Sequence, residues 1–244
     1  MNRSLSSTLA PNTLARLASL AYIVVIVAGG WSELVVRQPL TVSGDRAATA
    51  GNIAGATGEL RAAFGADMAM IIAFLVVGFS LWALLRRVSP EAALAMLVAN
   101  AISVAVMSAN LLNHGALIVL QDHAVELGSG TSGALAGFFL EMHSIGYLVA
   151  QAFFGLYLLP LGYLVYRSGM LPRWIGVLLM AGFAADMAQI GVEYLASDAD
   201  ALAEAVAAPA GIAELSLTLW LLVRGVRGDA GVVAQRAALS GANA

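Results

Sequence analysis

Residues 65–91 read GADMAMIIAFLVVGFSLWALLRRVSPE. From Met68 to Leu85 no side chain ionises, and Asp67 is the one carboxylate before that run. About 20 apolar residues at ~1.5 Å each cross the ~30 Å hydrocarbon core of a bilayer. Arg86 and Arg87 end the run. Ser89, Pro90 and Glu91 then supply an N-cap, a proline at the first helical position and an acid in the first turn, so the next helix starts on the same side. One hydrophobic helix, a basic stop and an immediate return predict a polytopic membrane protein.

Working outward by the same rule, spans are expected at 17–36, 65–85, 92–120, 138–166, 175–195 and 205–223. The fold class is an all-α, six-span transmembrane helical bundle. The third and fourth spans exceed the bilayer and should tilt or project. Pro160 lacks an N–H and predicts a kink in the fourth. The first span follows a signal-peptide-like start, and Ala28, Gly29 and Gly30 resemble a cleavage region; it is read as an uncleaved span. The organisation is a cytoplasmic segment 1–16, a bundle 17–225 and a cytoplasmic tail 226–244. Outside loops fall at about 37–64, 121–137 and 196–204. The first holds a surface helix, and the second is Gly/Ser-rich. In the third, Ser197 to Asp200 would cap a short Ala-rich helix ending at Pro209.

Composition agrees. Sixty per cent of the residues are apolar and 11% charged, whereas soluble domains are about half apolar. The basic residues are all arginine, and there is no cysteine. Schiff-base lysine chemistry, disulfides, thiolate ligands and cysteine nucleophiles are therefore excluded. No Gly-x-Ser-x-Gly elbow, phosphate-cradling glycine loop or basic nucleic-acid face is present.

Several segments carry a resemblance. They are SGDRAATAGNI at 43–53, FFGLYLLPLGYL at 153–164, RSGMLPR at 167–173 and ELSLTLWLLVRG at 214–225. In these the chain resembles a bacterial membrane-protein family catalogued as domain of unknown function 4386, over roughly 16–225. The resemblance implies a multi-span helical membrane protein and no particular activity.

Polar groups inside hydrocarbon are costly and mark functional positions. Asp186 and Glu214 fall about 15 Å into their spans, near the midplane. Asp186, Gln189 and Glu193 share one face, and Thr218 follows Glu214 by a turn. Asn100, Ser103, Met107, Asn110 and His114 form a stripe of 3-4 spacing on the third span. His143, Tyr147 and Gln151 descend the fourth, Glu33 closes the first and Asp67 opens the second. Together they suggest one outward-opening pocket ending at Asp186 and Glu214. Two neighbouring buried carboxylates would not both ionise, which makes them an acid–base pair. The competing explanations are structural. Asn110, Asn113, Ser103 and Gln151 serve as interhelical hydrogen-bond glue. Glu33 and Arg37 form a surface pair worth about 0.2–0.5 kcal/mol. Asp186 and Glu214 share a proton that only locks two helices, there being no intramembrane arginine to pair with them.

The sites expected are therefore Asp186 and Glu214 as catalytic groups. Glu33, Asn110, His114, His143, Tyr147, Gln151, Gln189 and Glu193 are expected as ligand-binding groups. No cofactor and no metal is expected: neither His-Glu-x-x-His nor Glu-x-x-His occurs, and an ion would need single ligands from three or four helices. The partners are membrane lipid and a small lipophilic ligand, with no nucleic acid; no oligomeric state is implied. Three functions fit: a binder or enzyme acting on a small lipophilic molecule, a proton-coupled transporter, and an accessory subunit whose polar stripes meet partner helices.

Orientation follows from arginine. With both termini inside, Arg3, Arg16, Arg86, Arg87, Arg167, Arg173, Arg224, Arg227 and Arg236 are cytoplasmic, against Arg37, Arg46 and Arg61 outside. That bias predicts a bacterial cytoplasmic membrane protein with the 86–91 and 167–173 turns inside. A cysteine placed at Val88 should stay unlabelled by impermeant maleimide in intact cells and react after permeabilisation. Labelling of intact cells would reverse the topology.

Overall fold

The computed structural model describes residues 9–42, 44–195 and 200–227, the side chains of 129 and 200–204 excepted. Among these there is no strand. The helices are α1 (Pro11–Gly30), α2 (Arg46–Gly55), α3 (Thr57–Leu85), α4 (Pro90–Asp122), α5 (Ala124–Leu127), α6 (Ser129–Ser168), α7 (Arg173–Leu195) and α8 (Asp200–Val223). A π-helical turn (Trp31–Arg37) and a 3₁₀ turn (Gln38–Leu40) extend α1. Six helical stretches are long and apolar enough to cross a membrane: Pro11–Leu40, Thr57–Leu85, Pro90–Asp122, Gly130–Ser168, Arg173–Leu195 and Ala205–Val223. The protein is all-α and polytopic, as the sequence predicts.

Two local expectations change. Residues 129–137 belong to α6 rather than to a Gly/Ser-rich loop. Gly133 is there for close packing, since a Cβ on it would lie 2.9 Å from Ala50 of α2; the break falls at Gly128, with φ +76°. Pro209 does not end a helix but sits inside α8; Pro160 sits inside α6, where the sequence places it. The proposed cap at 197–199 and the tail from 228 lie outside the described residues.

The described residues fall into two compact units. Unit 1 draws on Met1–Ala21, Val76–Asn100 and Phe154–Ala244; unit 2 draws on Tyr22–Leu75 and Ala101–Phe153.

In unit 1 glycines let backbones touch. A Cβ on Gly162 of α6 would lie 2.7 Å from the Gly176 carbonyl of α7, and one on Gly176 would lie 2.7 Å from the Gly162 carbonyl. Gly182 of α7 meets Ala210 of α8 in the same way, a Cβ falling 3.0 Å from its Cα. Lipid tails are as apolar as leucine, so helices in a membrane associate through such close contact rather than through the hydrophobic effect. Ser19 Oγ of α1 donates to the Thr218 carbonyl of α8 at 2.9 Å. Gly225, at φ +65°, terminates α8 in the left-handed conformation, and Asn12 Oδ1 accepts the next amide, Val226 N, at 2.9 Å.

In unit 2 the Asp45 carboxylate caps α2 by accepting Ala48 N at 2.9 Å. Ile53 of α2 is buried with Leu40, Leu60, Leu117, Ala136 and Leu140. Gln121 of α4 donates to the Ile53 carbonyl. The expected surface helix is therefore docked, with one face in an apolar cluster.

Gly176→Val should lower thermal stability in detergent by about 1–3 kcal/mol through overpacking against α6. Gly191→Ala, where an added Cβ meets nothing within 4 Å, should be neutral or slightly stabilising. Equal melting temperatures for Gly176→Val and the wild type would refute the close approach.

Candidate functional site

The most polar place in unit 2 is assembled from four helical segments. Arg37 ends the π-helical turn and is 3% exposed. Its Nε donates to Glu33 Oε2 at 2.8 Å, its Nη1 to Asp67 Oδ2, and its Nη2 lies 3.4 Å from Asp67 Oδ1. Asp67 of α3 is fully buried. The sequence is right that Glu33 and Arg37 pair; the Glu33 side chain is 40% exposed, but Arg37 is buried, against the expectation that no buried cation exists. A π turn rotates less per residue than an α turn, so it aims side chains where α-helical spacing does not; such turns recur at functional sites. The helical stretches long and apolar enough to cross a membrane run on to Leu40 and start at Thr57, so they include Arg37 and Asp67.

His114 of α4 is fully buried beside this pair. Its Nε2 lies 2.8 Å from the Leu60 carbonyl. A carbonyl only accepts, so Nε2 carries the hydrogen and a neutral ring presents the Nδ1 lone pair. Nδ1 lies 3.3 Å from Arg37 Nη1 and 3.5 Å from Asp67 Oδ2. The ring packs edge-on against Phe64, at 5.8 Å, and against His143 of α6, at 5.7 Å. His143 is 2% exposed, and among the described residues neither of its ring nitrogens has a hydrogen-bond partner. Its backbone is fixed instead: Asn110 Nδ2 donates to the His143 carbonyl at 2.9 Å, while Asn110 Oδ1 accepts from Asn113 at 3.0 Å. One ligand atom each from Asp67, His114 and His143 lies within 4.8 Å of the others.

The residues singled out from sequence thus divide. Glu33, Asn110, His114 and His143 converge in unit 2, with Tyr147 and Gln151 half-buried further along α6. Asp186, Gln189, Glu193 and Glu214 belong to unit 1. There Asp186 is 8% exposed and packs on Gly155, within electrostatic reach of the half-buried Glu214. Gln189 Nε2 donates to Glu193 Oε1 at 2.7 Å. Sequence reasoning missed Arg37 and left Asp67 unassigned. The local sequence gives little signal for this, since the apolar run of Leu34, Val35 and Val36 ends at Arg37, Gln38 and Pro39.

The fold and this centre define a class: a multi-pass, all-α membrane protein with an ion-paired, histidine-containing cluster buried among its helices. The chain belongs to the family described as Domain of unknown function (DUF4386), whose model matches residues 17–225. No curated protein and no solved structure matches it.

Removing one member of a buried ion pair strands the other. Arg37→Gln should cost about 3–5 kcal/mol. Arg37→Gln combined with Asp67→Asn should cost clearly less than the sum of the single changes. Unfolding of the four proteins in detergent tests this, and strictly additive losses would show that the pair is not coupled.

Proposed function

We propose that this protein resides in a bacterial cytoplasmic membrane and binds, or transforms by acid–base chemistry, a small lipophilic molecule carrying a polar head. The working groups are Asp67, His114 and His143, with Arg37 and Glu33 behind them. The observation that carries this reading is His143: a buried imidazole with two unused nitrogens, beside a carboxylate and a second imidazole. Leaving such a group unmet costs about 1–3 kcal/mol, so a ligand that meets it gains that free energy on binding. A neutral imidazole both donates and accepts, which suits it to hold a hydroxyl or carbonyl and to move its proton. The six apolar helices give lipid-dissolved molecules access without a water-filled path.

The acid–base role that spacing suggests for Asp186 and Glu214 is weaker in this reading, in which the pair locks helices of unit 1. Native mass spectrometry of the protein purified in mild detergent, followed by organic extraction, separates the two assignments. The wild type and Asp186→Asn should retain a lipophile, and His143→Leu should lose it. Loss with Asp186→Asn alone would return the site to the carboxylate pair, and a wild type that retains nothing would overturn the function.

A further inference from the structure

We propose that Asp67, His114 and His143 bind one divalent first-row transition ion of the zinc type, each from a different helix. The inference rests on reading this centre as the working site and does not depend on which lipophile is bound.

Geometry comes first. Tetrahedral bonds of about 2.0–2.1 Å put neighbouring ligand atoms about 3.3 Å apart. His114 Nδ1 and Asp67 Oδ2 are already 3.5 Å apart, and the third ligand atom lies within 4.8 Å. Closing the set asks for a shift of about 1.5 Å at most, within reach of a small turn of one imidazole.

The His114 ring is set for this role. Hydrogen bonding of Nε2–H to a backbone carbonyl fixes the tautomer and the ring plane, the usual support of a metal-bound histidine, and makes Nδ1 the ligand atom, whose lone pair now faces Arg37 Nη1 at 3.3 Å and would turn to the ion. Asp67 is held in turn by Arg37, as ligating carboxylates are held by outer hydrogen bonds. His143 offers a lone pair that no described residue uses.

Two nitrogens and one oxygen, in a chain without thiolates, form a borderline donor set suited to zinc or iron. Three protein ligands leave a fourth position open, where the polar head of a ligand would bind.

The chain has three histidines, so the test is complete with few variants. Protein stripped with EDTA and kept in detergent is titrated with zinc(II) by calorimetry, and cobalt(II) spectra report coordination. About one zinc per chain is expected, with the intense visible bands of four-coordinate cobalt. His114→Ala and His143→Ala should each weaken zinc binding about 100-fold or more. His123→Ala should bind as the wild type does; it removes the exposed His123–Glu126 pair, the place for an adventitious ion. The His143 ring makes no hydrogen bond, so its removal should spare the fold; if His143→Ala unfolds, His143→Gln replaces it. No zinc bound by the wild type, or zinc lost only with His123→Ala, overturns the site. Lipophile retention is read separately on the EDTA-stripped protein: retention without zinc binding refutes the ion alone, and loss of both refutes the centre.

Discussion

A charge inside hydrocarbon must be met by the protein itself. In unit 2 that requirement falls on Arg37, whose five N–H groups face two carboxylates and an imidazole. The neighbouring features follow. Asp67 is positioned for Arg37, His114 is tied by Nε2 to the Leu60 carbonyl, and Asn110 ties α4 to the backbone of α6 at His143. Apolar side chains could fill this volume with less desolvation cost.

The two units solve the packing problem differently. Unit 1 relies on glycine contacts that bring backbones together, with few polar side chains beyond Ser19, Ser80, Asn100, Asp186 and Thr218 in its interior. Unit 2 relies on directional hydrogen bonds and on a docked helix, α2. Directional bonds define side-chain positions more sharply than close-packed methylenes do.

Much of this was legible in the sequence. Hydropathy and the arginine stops located every span to within a few residues at most ends, and the 3-4 stripe on α4 correctly marked Asn110 and His114 as inward-facing. His143 was legible as a polar residue at membrane depth, though its lack of partners was not. Arg37 was illegible for a definite reason: four residues after Glu33, it fits an ordinary surface pair on an α-helix, and nothing in the local residues announces a π turn. The grouping of His143 with His114 and Asp67 rather than with Asp186 also lay beyond sequence, because helix periodicity fixes a residue's face and depth but not which helices are neighbours. The Gly/Ser-rich segment near 130 misled because Gly133 serves close packing on α2, and composition cannot distinguish that use from a turn.

The π-helical turn at Trp31–Arg37 acts as a phase adjustment. An α-helix advances about 100° per residue. Deleting a single residue while the turn keeps its π geometry would swing everything beyond it by somewhat less than that angle, carrying Arg37 away from Asp67. Point substitutions at 32–35 leave the phase intact. The segment should therefore tolerate changes of chemistry far better than changes of length, and the register of the centre is held by how many residues precede Arg37 as much as by which ones they are.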